Sequence, residues 1–442
     1  MSLTDQASQI LEHVRAQGAE GDLIVDQGEA LSLKAKEGAL EEHKVTSSQV
    51  FGLRVIKNQR VGTAYSEASD SESLKALVDQ ALMNASYAAV EPFETILPNK
   101  FSLTTDDQIL SPEDSASVAD KIALALDIES SLAGKPHVKN VPYNGVQDMQ
   151  GERRVFSTAG LTARSKARSV ACYAYALIES GEQNAMEGLG QVARRFDQLD
   201  PTKLVDATYQ NTLDMLEGSS IPSGKYDIVF DEEMLPSLFS VFALMFSGKS
   251  AKDGVNPLRD KLGEQIADEQ LTLVDRPDHL EGFGYALFDG EGSPTAARPL
   301  IEQGVFSSMI HNSMTAAALG TVSTGHATRG PKSTLGVGLH QIEIVAGEHA
   351  AASLLAGEYF LITDLTGLHS GANPVSGEFS FGASGYLCRD GARVRPVRGV
   401  TVAGNFYELL KRIAGIGDTQ YWNWEKTALL PTVRFYDLAV SG

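Results

Sequence analysis

The length, composition and charge of this chain exclude several classes of protein. Its 442 residues exceed what one hydrophobic core holds, and 43% hydrophobic with 21% charged residues is ordinary for a globular protein, so we expect two or three domains. The 57 acidic and 37 basic residues leave a net charge of −20, which disfavours direct binding to nucleic acid or to an anionic membrane.

The first half of the chain is predicted to alternate helices with strands. Residues 3–17 carry apolar side chains at helical spacing and end at Gly18, which is typical of an amphipathic helix. Ser111 is predicted to be the N-cap of a helix over residues 112–132. Further helices are predicted over residues 71–89, 192–198 and 202–218, and strands over residues 23–25, 30–35, 49–56, 60–65, 138–143, 152–157 and 161–179.

A linker is predicted between the two halves. Residues 219–224 (SSIPSG) are rich in Ser, Pro and Gly, so the sequence predicts a domain boundary near residue 220. The chain then divides into an N-terminal domain, residues 1–220, and a C-terminal domain, residues 221–442.

The second half is predicted to be rich in strands. A strand over residues 225–230 precedes an apolar helix over 234–245, and short helices are predicted over 313–319 and 406–413. Residues 378–387 and 393–402 flank an Arg-Asp-Gly turn and predict a glycine-rich hairpin. Helices and strands are segregated here, which favours an α+β fold: a layered N-terminal domain, and a C-terminal domain rich in curved antiparallel sheet.

The ends of the chain and its cysteines indicate a cytoplasmic protein. No apolar run is long enough to cross a bilayer, and residues 1–18 have the pattern of an amphipathic helix rather than of a signal peptide. Cys172 and Cys388 lie far apart in apolar settings, so they form no disulfide framework and are expected to be buried, inert thiols.

Several segments of the second half resemble the TldD/PmbA family. In chain order they are residues 288–295 (FDGEGSPT), 300–306 (LIEQGVF), 324–327 (TGHA), 371–382 (GANPVSGEFSFG), 396–405 (PVRGVTVAGN) and 430–442 (LPTVRFYDLAVSG). The resemblance implies half of a two-part cytoplasmic metallopeptidase that trims or degrades unfolded peptides. The family also carries an old label as a modulator of DNA gyrase, and the charge of this chain disfavours direct DNA contact.

The resemblance further distinguishes two branches of the family. In the TldD branch, the helix after the first C-terminal strand carries HExxxH, and a cysteine near the C-terminus completes a zinc site. Here that helix reads LPSLFSVFALMF, with Ser240, Val241 and Met245 near the motif position, and residues 417–424 lack cysteine. The chain therefore resembles the PmbA/TldE branch, which implies a heterodimer whose HExxxH subunit holds the zinc, and no catalytic or metal-binding residue in this chain.

A peptide-binding role is the hypothesis that remains for the glycine-rich hairpin. Residues 373–382 are predicted to be extended, so an unfolded peptide could add to them as a strand with little sequence preference. The candidate peptide-binding residues are Asn373, Ser376, Gly377, Phe379, Ser380, Gly382, His369, His326 and Arg398.

The alternative is a self-sufficient, homodimeric, metal-dependent hydrolase. Its metal site would use His326, His369 and acidic residues, although no HxH or HxxxH spacing occurs and hydrogen-bonding roles are expected instead. Asp289 and Glu291 could pair as acid and base, but we expect them to be exposed turn carboxylates. Homodimerisation in the absence of a partner is left open by the sequence.

Overall fold

The computed structural model describes residues 2–98 and 102–442. The N-terminal half holds one large twisted sheet with helices packed at both ends. Its helices are α1 (Leu3–Ala16), α2 (Ser71–Tyr87), α3 (Asp107–Leu110), α4 (Val118–Ala133) and α5 (Pro201–Leu216). Its strands are β1 (Glu20–Lys36), β2 (Ala39–Lys57), β3 (Arg60–Ser66), β4 (Ser102–Thr104), β5 (Val138–Ser157), β6 (Thr162–Ser180) and β7 (Gln183–Ala193).

The N-terminal sheet has the order β3-β2-β1-β5-β6-β4, and β7 also pairs with β6. All pairings are antiparallel except that of β4 with β6. The apolar faces of α1 and α2 pack on one end of the sheet around Phe51, whereas α4 and α5 pack on the other end around Cys172. Two separate cores result, because strands this long extend beyond the reach of a single helical layer.

The C-terminal half holds the remaining elements. Its helices are α6 (Met234–Val241), α7 (Gly248–Lys252), α8 (Ser313–Leu319), α9 (Ala351–Leu354) and α10 (Phe406–Leu409). Its strands are β8 (Gly224–Phe230), β9 (Leu273–Asp275), β10 (Arg298–Glu302), β11 (Val305–Phe306), β12 (Ala327–Thr328), β13 (Gly336–Val337), β14 (Ile342–Ile344), β15 (Glu358–Thr366), β16 (Glu378–Arg389), β17 (Ala392–Asn405), β18 (Ile413–Trp422) and β19 (Ala428–Ser441).

Five strands of the C-terminal sheet close into a barrel. β8 pairs in parallel with β15, and the ring continues through β16, β17 and β19 back to β8 in antiparallel steps. A large apolar core packs against this barrel and against α6. The α+β class is therefore confirmed, with the curved antiparallel sheet in the C-terminal half. Among the described residues, no helix has both the length and the hydropathy that a membrane crossing needs.

Several predicted elements are confirmed and others are wrong. The N-terminal helix and the hairpin of β16 and β17 are present. The predicted helix over 192–198 is wrong, because residues up to Ala193 extend the β7 ladder and only a 3-10 turn, Phe196–Gln198, follows. The paired short strands predicted over 23–35 and 138–157 are single long strands.

Two predicted helix boundaries also need correction. The helix predicted from residue 112 begins at Val118, where Ser117 and Asp120 form a capping box. Ser111 instead follows α3, and its hydroxyl accepts a hydrogen bond from Gln150 Nε2 at 3.0 Å. The helix predicted over 406–413 ends at Leu409, because the chain turns to pair β18 with β19.

The segment between α5 and β8 contains the predicted boundary near residue 220. Separate sheets lie before and after it, and the division of the chain at that residue stays a prediction.

Candidate functional site

A large cleft separates the N-terminal sheet from the C-terminal barrel. Its volume is about 1490 Å³. One wall consists of β7 and α5, and the other consists of the end of β8, α6 and β15. Such a cleft between two bodies of the fold is the default candidate for a binding site.

Helix α6 lines this cleft with side chains that cannot bind a metal. It follows β8 directly, and Ser237, Ser240 and Val241 border the cavity. Its other face buries Leu238 and Phe239 in the core. In the TldD branch the corresponding helix holds zinc; here hydroxyl and aliphatic side chains do not fit that ion, which takes imidazole, thiolate or carboxylate ligands.

An aromatic cluster holds α6 against the barrel. Phe242, at the end of the helix, stacks on Phe406 with ring centroids 4.4 Å apart and an interplanar angle of 5°. Phe379 and Tyr407 contact the same ring edge-on. Phe379, a predicted peptide-binding residue, is therefore part of the core, with 4% of its surface exposed.

The cleft is lined by carboxyl groups whose proton affinity is high. Burial raises the pKa of Asp231 to about 8, although its Oδ1 accepts hydrogen bonds from the backbone N–H groups of Glu233 and Met234. Burial also raises the pKa of Glu233 and that of Glu187, each to about 7. Perturbed carboxyl groups in a cleft are a recognised mark of a functional site.

The pKa of Asp231 predicts a pH dependence of stability. Since the pKa rises from 3.8 to about 8 on folding, the folded protein keeps a proton that the unfolded chain loses. The free energy of unfolding should therefore fall as the pH rises from about 4 to about 8, by up to about 1.4 kcal/mol per pH unit. Asp231→Asn retains the Oδ1 acceptor and should flatten this slope in urea denaturation, whereas Glu269→Gln at an exposed position should not. An unchanged slope in Asp231→Asn would contradict the assignment.

The predicted strand addition along residues 373–382 is wrong. Strand β16 pairs with β15 on one edge and β17 on the other. Beyond the end of β15, the loop that precedes β16 takes its place beside the strand. The backbone N–H of Asn373 donates to Glu378 O at 2.8 Å, and the N–H of Ser380 donates to Gly371 O at 2.7 Å. Both edges of this strand are therefore occupied, and no peptide can pair with it.

Most of the other predicted peptide-binding residues have structural contacts. Asn373 closes a turn by accepting hydrogen bonds from the N–H groups of the two residues before Gly377. Gly382 lies against Thr366, whose Oγ1 would be 2.3 Å from an added Cβ atom. Arg398 donates to Asn184 O at 2.6 Å and joins the two halves of the chain. Whether the candidate peptide-binding residues, among them the exposed Ser376, contact a peptide stays a prediction.

The two predicted histidines lie in different places. His369 is exposed and borders the cleft, whereas His326 is fully buried and its Nε2 is 3.0 Å from Asp275 Oδ2. Asp275 Oδ2 is also 2.9 Å from His340 Nδ1. A single metal site that uses both His326 and His369 is therefore not built.

Asp275, His326 and His340 are close enough together to hold a metal ion. Asp275 Oδ1, however, accepts hydrogen bonds from two backbone N–H groups, and His326 Nδ1 lies 2.8 Å from Thr324 O. A catalytic zinc needs an open position for water, and the carboxylate and His326 are sealed from solvent. The group does not fit a catalytic zinc. Sequence reasoning missed Asp275 and His340, which are far from His326 in the chain.

Asp289 and Glu291 are not exposed turn carboxylates. Only 4% and 3% of their surfaces are exposed. Asp289 accepts hydrogen bonds from the backbone N–H groups of Glu291, Ser293 and Ala327, and Glu291 Oε2 accepts one from Ser313 N–H at 2.9 Å. The FDGEGSPT segment therefore ties loops together, and the prediction failed because burial by distant segments is invisible in local composition.

Family models for three consecutive domains match the chain. They are the PmbA/TldA metallopeptidase domain 1 over residues 21–85, the central domain over 111–216 and the C-terminal domain over 223–442. The chain belongs to the PmbA/TldD family. The resemblance predicted from the sequence is confirmed, and the motifs that carried it lie in the C-terminal domain.

Curated relatives match along most of their length. The metalloprotease PmbA homologue of Haemophilus influenzae is 26% identical over 410 residues, which are 91% of this chain and 88% of that protein. Metalloprotease PmbA of Escherichia coli O157:H7 is 23% identical and covers 94% of this chain and 91% of its own length.

Solved structures share the fold. A Thermotoga maritima protein described as a candidate modulator of a DNA gyrase has a TM-score of 0.89 and 24% identity, with full coverage of both chains. TldE from Thermococcus kodakarensis has a TM-score of 0.88 and 22% identity, and the match covers 99% of this chain and all of that one.

Proposed function

We propose that this protein is the TldE-type subunit of a cytoplasmic zinc metallopeptidase that trims or degrades unfolded peptides. A TldD-like HExxxH subunit would supply the zinc, and this chain would supply assembly and peptide-binding surface. The observation that carries the proposal is that α6 borders the cleft with Ser237, Ser240 and Val241, none of which is a zinc ligand. The family membership supplies the reaction class, since its relatives are named metalloproteases.

The size of the cleft supports a peptide ligand. Pockets for small molecules measure about 300–1,000 Å³, and this cleft is larger, at about 1490 Å³. Exposed aromatic side chains at its border, Tyr421 and Trp424, add apolar surface of the kind that binds varied chains. Any effect on DNA gyrase would then be indirect, through peptides that the pair degrades, since the net charge of −20 opposes DNA contact.

Reconstitution with a HExxxH protein from the same family tests the proposal. We expect the chain alone to leave an unfolded peptide intact and to carry less than stoichiometric zinc, whereas the mixed pair co-purifies and trims the peptide. Stoichiometric zinc together with cleavage by this chain alone would instead establish the self-sufficient hydrolase. Size measurement of the separate chain would determine whether it forms a homodimer without its partner.

A variant that fills the cleft tests the role of α6 in the pair. Ser240 is exposed on the cleft wall, so Ser240→Trp should block peptide entry without disturbing the core. We expect trimming by the pair to fall at least tenfold. Ser130→Trp, at an exposed serine of α4 outside the cleft, is the matched control and should keep full activity. Equal activity in the two variants would remove the cleft from the reaction.

A further inference from the structure

Two carboxylates line the cleft without a cationic partner. Glu187 lies on β7 and Asp364 lies on β15, so the two groups come from opposite walls. Asp364 is near enough for its charge to act on Glu187, and none of the described cations is among the charges that act on either group. Within residues 2–98 and 102–442, neither group has a salt-bridge partner at its side chain.

The lack of a partner is energetically unfavourable. Burial and the charge of Asp364 raise the pKa of Glu187 to about 7, and burial raises the pKa of Asp364. Both side chains are half-buried, and carboxylates that lose hydration are normally paired or hydrogen-bonded. Two such groups facing one cavity lower the electrostatic potential there, which favours a positively charged ligand.

An unpaired hydroxyl group lies at the same place. Tyr386 borders the cleft, and only 2% of its surface is exposed. Its hydroxyl makes no hydrogen bond within the described residues, although the Asp214 carboxylate lies near enough to add to the effect of burial in raising its pKa. Its strand, β16, neighbours the strand that carries Asp364, and the charge of Glu187 acts on it. Buried hydroxyl groups are nearly always satisfied, so this oxygen is available to accept a hydrogen bond from a ligand.

The remaining lining does not neutralise these groups. Six acidic side chains border the cleft against two basic ones; the acidic residues are Glu187, Asp231, Glu232, Glu233, Asp364 and Glu425, and the basic ones are Lys203 and Arg393. Arg393 is already engaged, because its guanidinium lies over the Tyr386 ring at 4.0 Å and donates to Asn211 Oδ1 at 3.3 Å. The exposed His369 also faces the cavity.

We propose that Glu187, Asp364 and the hydroxyl of Tyr386 bind a positively charged nitrogen of the peptide, either its N-terminal ammonium or a Lys or Arg side chain. This inference rests on the proposed function, since it names the group by which the cleft selects a peptide. Two carboxylates supply the opposite charge, and the phenol oxygen supplies a neutral acceptor for a further N–H. Peptides that lack such a group would bind through apolar contacts alone.

Binding of matched peptides to the full chain tests this inference. Three fluorescent peptides share one apolar sequence: one has a free N-terminus, one is acetylated and contains Lys, and one is acetylated with Gln in place of Lys. Dissociation constants are measured by anisotropy at pH 8 in EDTA, where about half of the free N-termini keep their proton, so their apparent affinity falls only about twofold. We expect at least one cationic peptide to bind tenfold or more tightly than the neutral one, and the comparison of the two cationic peptides identifies the source of the charge.

Variants assign the preference to the three residues. Glu187→Gln combined with Asp364→Asn should abolish the cationic preference and leave the affinity for the neutral peptide unchanged. Tyr386→Phe keeps the ring under Arg393 and should weaken cationic binding by up to about tenfold. Glu182→Gln, in the exposed turn before β7, should have no effect. Thermal unfolding of each variant checks that it is folded.

Each other outcome overturns a defined part of the argument. Equal affinities for all three peptides, or a preference that survives in the double variant, would remove the cationic site and leave the peptide cleft standing. A preference that appears only when a divalent cation replaces EDTA would assign the carboxylates to a metal ion instead. Absence of binding to every peptide would overturn the proposed function together with this inference. Loss of the preference between pH 8 and pH 6 supports it, since Glu187 gains a proton there.

Discussion

Replacement of Arg54 by Met is expected to lower the free energy of unfolding by about 3–5 kcal/mol. Only 1% of its surface is exposed, and its guanidinium binds Asp22 at 2.5 Å, Glu94 at 2.8 Å and Glu291 at 3.4 Å. Arg329 is the second buried base of the group and also binds Asp22. Without Arg54, three carboxylates would share one arginine in a site with little access to water.

This cluster also joins the two halves of the chain. Asp22 and Arg54 belong to the N-terminal sheet. Glu291 belongs to the FDGEGSPT segment, and Arg329 follows the TGHA segment of the C-terminal half. The variant should therefore lose stability in urea denaturation and also unfold less cooperatively. Arg259→Met is the matched control, because that side chain is 51% exposed and pairs with its neighbour Asp260, so its loss should cost less than about 1 kcal/mol. Equal midpoints for the two variants would show that the buried cluster contributes no net stability.

Replacement of Phe242 by Ala is expected to cost about 3–5 kcal/mol as well. The ring is fully buried between α6 and the barrel, stacked on Phe406 and in contact with Phe379. Removal of the ring leaves a cavity between α6 and the barrel, and neither the short helix nor the barrel wall can move enough to fill it. Because the ring fixes the end of α6, the variant should also bind peptide in the cleft less tightly.

Two controls define the Phe242 prediction. Phe242→Leu keeps most of the buried volume and should cost less than about 1.5 kcal/mol. Phe93→Ala removes a ring that is 43% exposed and should have a small effect. If Phe242→Ala unfolded at the same urea concentration as Phe93→Ala, the aromatic cluster would not be what positions α6.

Two elements that depend on local chemistry, helix α1 and the hairpin turn, were predicted well, whereas the capping box at Ser117 was missed. Helix α1 begins at Leu3, directly after the N-cap Ser2, because the Ser2 hydroxyl and the Asp5 carboxylate form a capping box. The hairpin turn was recognised from its Asp-Gly pair, which tolerates positive φ angles. In the structure, Asp390 and Gly391 have φ angles of 52° and 81°. These features need only a few neighbouring residues, and a single sequence contains all the information they require.

Elements that depend on pairing with distant segments were predicted poorly. Residues 183–193 form a strand because β6 offers them a complete ladder of partners, whereas the sequence predicted a helix from residue 192 onward. Asp289 was expected on the surface, but it is buried, and burial together with the charge of Glu291 raises its pKa to about 7, although the hydrogen bond from Ala327 N–H lowers it. Strand addition at Ser380 was excluded only when the hydrogen bonds of both strand edges were known.

The sequence by itself determined the family, the α+β class and the absence of a zinc-binding motif on the helix after β8, because these depend on residue identity and order. Only the tertiary structure decided which side chains meet. The cleft brings Glu187, Asp364 and Tyr386 together from three strands of two sheets, and the interface brings Arg54 to Glu291 across 237 positions of sequence. Charge and burial act through space, so residues that are remote along the chain set the chemistry of both places.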